Sequence, residues 1–117
     1  MTPDDVADIF AAFRPVRCRR MFGGLGIYAD GVMFGLVAFE RIYLKADPDF
    51  SRDLEAMGAE RFSHEARGRQ VSLPYWALPE SAIDDAEAAA ELAARALRVA
   101  LAAAASKPPR RPKRAKG

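Results

Sequence analysis

Between Met21 and Asp47 the chain reads MFGGLGIYADGVMFGLVAFERIYLKAD, a run dense in aromatic, β-branched and glycine residues with one strong turn signal, Asp30-Gly31. Both residues of that pair tolerate a positive φ, which a two-residue hairpin turn requires. The run is therefore expected to fold as three antiparallel strands, about Arg20 to Ala29, Val32 to Phe39 and Ile42 to Ala46, with a weaker corner at Glu40-Arg41. The second of these is apolar on both sides, Val32, Phe34, Leu36 and Ala38 against Met33, Val37 and Phe39. Such a strand belongs in the middle of a sheet, with helices over one face and a further element or a partner over part of the other. Gly23, Gly24 and Gly26 weaken the first strand and point to a bulge or to the close approach of another backbone. A phosphate-cradling loop is the alternative, but there is no G-x-G-x-x-G or P-loop spacing, and the pattern continues extended through Tyr28 and Ala29.

The flanks supply helices and a second hairpin. Thr2 to Phe13 reads as a helix: Thr2 caps it, Pro3 opens it, Asp5 completes a capping box, and Val6, Ile9, Phe10 and Phe13 share one face. Pro15 ends it. A short helix from Pro48 to Met57 has Asp47 as its cap and Gly58 as its stop. Arg61 to Ala66 and Gln70 to Trp76 form a hairpin around Arg67-Gly68-Arg69, and Pro74 implies that the second of its strands lies at an edge or ends there. The longest helix runs to about Ala105 behind an Asp84/Glu87 capping box, with Ile83, Ala86, Ala90, Ala93, Leu97, Ala100 and Leu101 as its apolar face and Glu91–Arg95 as an i, i+4 pair. The fold class is α+β: an antiparallel β-sheet of about five strands, meander plus hairpin, packed against an N-terminal and a long C-terminal helix. Residues 1–106 form the domain, and 107–117 are expected to be a disordered basic tail, because KPPRRPKRAKG has three prolines and no apolar anchor.

Charge is unevenly distributed. The formal net charge is +2, yet residues 1–106 hold 12 basic against 16 acidic side chains, so the body is acidic and the tail alone makes the chain basic. Two basic clusters could contact a polyanion such as nucleic acid: Arg14, Arg17 and Arg19 in the RPVRCRR connection, and Lys107, Arg110, Arg111, Lys113, Arg114 and Lys116 in the tail. A single cysteine, Cys18, excludes an internal disulfide. No apolar run is long enough to span a membrane, and the expected location is the cytoplasm. Cys18, Tyr43, Lys45 and His64 are the residues with reactive side chains worth weighing, and none has a nucleophile–base or metal-ligand partner at useful spacing. The expectation is a chain with no catalytic residues, no cofactor and no metal.

The words R-M-F-G-G at Arg20 to Gly24, G-I-Y-A-D-G at Gly26 to Gly31, M-F-G-L-V at Met33 to Val37 and I-Y-L-K-A-D at Ile42 to Asp47, followed by Phe62 and Pro74-Tyr75-Trp76, occur in this order and spacing. In this the chain resembles the N-terminal domain of the TfoX/Sxy family of bacterial competence regulators, over about Val6 to Leu101. The resemblance implies an α+β fold and a non-enzymatic role as a transcription co-regulator, linked to the cyclic-AMP receptor protein and competence genes. Full-length regulators of that type carry a second, helical domain where this chain has its short basic tail. Arg20, Met21, Phe22, Gly23, Gly24, Tyr43, Leu44 and Lys45 match the family motif and are the candidates for fold signature or interaction. The partner it implies is a protein of the transcription machinery or a regulator. A homodimer, weak nucleic-acid contact through the tail and a small-ligand-binding role are alternatives.

Overall fold

In the computed structural model, residues 1–21, 24–66 and 68–106 are described. Along them run α1 (Pro3–Ile9), β1 (Arg17–Met21), β2 (Gly24–Ala29), β3 (Val32–Ala38), β4 (Arg41–Lys45), α2 (Pro48–Ala56), β5 (Arg61–Ala66), β6 (Arg69–Ala77), α3 (Glu80–Ile83) and α4 (Ala86–Ser106). The strands make one sheet in the order β1-β2-β3-β4-β6-β5, every neighbouring pair antiparallel. The fold is α+β, with six strands rather than about five.

The additional strand comes from the arginine-rich connection. Arg17–Met21 pairs with Gly24–Ala29, Met21 opposite Gly24, so the expected single strand from Arg20 to Ala29 is two. Its arginines disguise it in the sequence, but charged side chains suit an edge strand because they discourage pairing with another chain. The Asp30-Gly31 turn forms as read, φ 53° and 79°. The bulge lies at Ile27/Tyr28, opposite an extra residue of β3, and the close backbone approach is at Gly24, where a Cβ would stand 2.2 Å from the Val37 carbonyl oxygen. The next corner is Phe39-Glu40, not Glu40-Arg41, with φ 54° and 62°. Arg41 is drawn into β4 opposite Ala38, which moves the turn back by one residue.

Pro74 does not mark an edge. β6 lies between β4 and β5. The proline sits just past the last β4–β6 pair, Lys45 opposite Tyr75, where β4 has ended, and its carbonyl accepts the Ala46 N–H at 3.0 Å. A missing donor costs nothing there.

Helix ends follow local chemistry. The Thr2/Asp5 capping box closes α1, but the helix stops at Ile9 and gives way to turns, which bring Phe13 as well as Phe10 edge-on to Phe34 at 5.7 and 5.8 Å. The Asp47 carboxylate accepts the Phe50 N–H at 2.9 Å at the start of α2. Asp47→Ala should lower stability by about 1 kcal/mol in a urea titration. A loss of α2 alone in hydrogen exchange would show the cost to be local. The cap of α4 is Asp85, whose side chain accepts the Ala88 N–H at 3.1 Å; Asp84 ends α3 instead. The face of α4 that meets the sheet is Ala89, Leu92, Ala93, Ala96, Leu97 and Ala100, while Ile83 and Leu101 are exposed. Arg95 reaches across to α2 rather than along α4 to Glu91. It pairs with Asp53 at 2.8 Å and lies 4.4 Å over the Phe50 ring.

All four helices lie on one side of the sheet. Every buried helix residue belongs to one cluster with Ile27, Phe34, Val37, Ile42, Leu44 and Trp76. The other sheet face has its own cluster, Leu36, Tyr43, Phe62, Tyr75 and Ala77, supplied wholly by strands.

Candidate functional site

The face without helices can be read from the strand register. Antiparallel partners share a face and successive residues alternate. Arg17, Arg19 and Met21 of β1 therefore lie with Gly24, Gly26 and Tyr28 of β2, Met33, Leu36 and Ala38 of β3, Arg41, Tyr43 and Lys45 of β4, and Tyr75 and Ala77 of β6. Two cations cover rings on it: the Arg19 guanidinium is 5.8 Å from the Tyr28 centroid and that of Arg41 is 5.8 Å from Tyr43. Burial pushes the Tyr75 phenol above its ordinary pKa, and the neighbouring Tyr28 adds to the shift. Tyr43 meets Phe62 edge-on at 5.0 Å, and Phe62 stacks on Phe39 at 6.0 Å. An aromatic band therefore runs from the middle of the face to the β3–β4 turn.

That turn forms a rim. Phe39 is 68% exposed and holds a left-handed φ, a conformation that costs a bulky side chain about 1–3 kcal/mol. Two clefts border the turn, and Phe39 lines one of them. One, of about 810 Å³, lies between Phe39, Arg20, Met21 and Gly24 on one side and Met1 to Pro3 on the other. The second, of about 590 Å³, is lined by Ile9, Arg41, Met57, Glu60 and Ile83. Glu40 and Met1 border both. Five large hydrophobic side chains stand exposed among the described residues, and four of them, Met1, Phe39, Met57 and Ile83, line these two clefts. The Arg41–Glu60 pair at 2.8 Å crosses the second cleft, and the hydrogen bond to Glu60 raises the arginine pKa further.

The motif residues separate into three groups. Tyr43, Lys45, Met21 and Gly24 lie on the uncovered face, with Lys45 half-buried on an interior strand. Leu44 is fully buried under the helices and is core. Arg20 points to the helix side of edge strand β1 and borders the Phe39 cleft. Phe22 and Gly23 lie outside the described residues. Of the first basic cluster, Arg17 and Arg19 share the uncovered face, whereas Arg14 packs 4.7 Å over Phe13 and pairs with Asp30. Lys107, Arg110, Arg111, Lys113, Arg114 and Lys116 lie outside the described residues, as does the side chain of His64. Cys18 is half-buried on the helix side of β1, its thiol pushed up by burial, on the opposite face from Tyr43 and Lys45. Tyr28, Phe39, Met57 and Ile83 were missed as surface residues. Phe39 had a signal, since a turn placed one residue earlier would have exposed it. Met57 and Ile83 had none, because each fits the apolar period of its helix.

The architecture is that of a small α+β domain: one antiparallel sheet, helices on one side only, and a rim of exposed apolar side chains. Residues 8–100 match the TfoX N-terminal domain, and the chain belongs to that family. It is similar to the DNA transformation protein TfoX1 of Aliivibrio fischeri (strain ATCC 700601 / ES114), with 32% identity over 62 residues. The match takes in 53% of this chain and 30% of that relative, so the chain spans under a third of its length. No helix among the described residues is long and apolar enough to cross a membrane.

Proposed function

We propose that the chain is a protein-interaction domain that co-regulates transcription, acting through its surface rather than by catalysis. The observation that carries this reading is Phe39. A bulky residue held in a left-handed turn and two-thirds exposed is a cost to folding; it lines one of two clefts that border its turn, and exposed apolar side chains line both. Aromatic anchors of this kind dominate binding energy at protein interfaces. The family and the name of the relative agree with a regulatory role near DNA transformation. The partner of this reading is an activator of the cyclic-AMP receptor type, as the family resemblance implies.

Phe39→Asn separates binding from folding. Asparagine tolerates the left-handed region, which offsets the lost stack on Phe62, so folded stability should stay within about 1 kcal/mol of wild type. Binding to the purified activator of the same cell should weaken at least about tenfold. Equal binding by the variant would remove Phe39 from the interface. If neither protein binds, the choice of partner is wrong.

A further inference from the structure

We propose that the uncovered sheet face binds single-stranded nucleic acid across Arg17, Tyr28 and Met33, which pair from β1 to β3, and Lys45 of β4. The first ground is charge. Residues 1–106 carry a net negative formal charge, yet this face of β1–β4, with Tyr75 and Ala77 of β6, has four cations, Arg17, Arg19, Arg41 and Lys45, and no carboxylate. Arg41 is engaged by Glu60. Arg17, Arg19 and Lys45 have no ion-pair partner among the described residues. Three uncompensated cations on an acidic body are a local attraction for a polyanion.

The second ground is shape. A groove of about 690 Å³ runs beside β1, lined by Pro15, Arg17, Arg19, Tyr28 and the Asp30-Gly31 turn. The one carboxylate in it, Asp30, is held by Arg14. Tyr28 lines the groove and is half-buried, with Arg19 over its ring, so a base displacing that guanidinium would find a π-face and leave the cation for the neighbouring phosphate. From β1 to β4 these residues cross three strand spacings, roughly 14 Å at ~4.8 Å each. A duplex is read by a helix or a two-stranded ribbon in its major groove, which a face this broad does not fit. Splayed bases stacking on a sheet, with cations along the backbone, do fit.

The test uses the full chain, so that the tail is constant, and fluorescence anisotropy with a fluorescein-labelled oligothymidylate of about ten nucleotides. A duplex of the same length and heparin serve as comparisons. Wild type should prefer the single strand to both. Arg17→Gln with Arg19→Gln should reduce the slope of log affinity against log salt by about 1.4. Tyr28→Ala should weaken binding about tenfold with the slope unchanged, since stacking releases no counterions. Lys45→Gln, which leaves every ring in place, should reduce the slope by about 0.7 and decides the matter if Tyr28→Ala does not fold. The proposal fails if the oligonucleotide is not bound, if these variants bind like wild type, or if single strand, duplex and heparin are bound alike.

Discussion

Phe34→Ala should lower the free energy of unfolding by about 4 kcal/mol, the largest loss expected of any single truncation here. Phe34 is the extra residue of the β3 bulge, has no solvent exposure, and receives the rings of Phe10 and Phe13 edge-on. It therefore joins the N-terminal turns to the centre of the sheet. Removing its ring leaves a cavity that strand backbone on one side and helices on the other cannot easily close. A small domain has roughly 5–15 kcal/mol in all, so the variant should be folded only marginally. Urea unfolding followed through Trp76, the one tryptophan and buried in the same cluster, gives the number. In a double-mutant cycle with Phe10→Ala the coupling should be about 1 kcal/mol, the worth of an edge-to-face pair beyond its burial. A loss below about 2 kcal/mol would mean that α1 and its following turns do not pack on β3 as described.

Gly24→Ala should cost about 3 kcal/mol although it adds a single methyl group. The Cβ would lie 2.2 Å from the Val37 carbonyl oxygen, and that obstacle is backbone rather than a side chain that could swing aside. β2 and β3 would have to part at the end next to the Phe39 turn. Gly31→Ala is the control. Nothing stands within 4 Å of its Cβ, and only the φ of +79° opposes it, so about 1 kcal/mol is expected. Thermal unfolding of the pair separates the two causes. If Gly24→Ala is as mild as Gly31→Ala, the family glycine serves something other than strand approach.

The glycines and turn residues show how far a sequence of this kind can be read. Asp30-Gly31, Asp47-Pro48 and the Thr2/Asp5 box are local chemistry, decided by residues within one turn of each other, and all three fold as their sequence implies. The errors fell where distant neighbours decide. Arg17–Met21 has no strand composition of its own and becomes a strand because β2 offers it an edge. Pro74 looks like an edge residue until the early end of β4 shows that no donor is needed beside it. Asp85 wins the cap of α4 over Asp84 because the short α3 takes Asp84 as its own end. The long helix is so rich in alanine that its inward face has little contrast to declare it.

The site was less legible than the fold. The family motif mixes residues that shape the sheet, such as Gly24 and Leu44, with residues that face outward from it, such as Lys45 and Arg20. Sequence places them side by side and cannot sort them, because the sorting is done by a two-residue alternation whose starting phase is set by the pairing between strands. Phe39, Met57 and Ile83 come from a turn and two helices, far apart in the chain, and line the two clefts that border the β3–β4 turn.

The central claim, that this domain works by presenting the Phe39 rim to a transcription activator, is tested most directly by isothermal titration of the purified cyclic-AMP-receptor-type activator of the same cell into wild-type protein, Phe39→Asn, and the Arg17→Gln/Arg19→Gln double variant. A saturable complex with wild type, weakened at least about tenfold by the change at Phe39 and left unaltered by the change on the sheet face, is the predicted result. Equal affinity for wild type and Phe39→Asn, with both proteins folded, would contradict it.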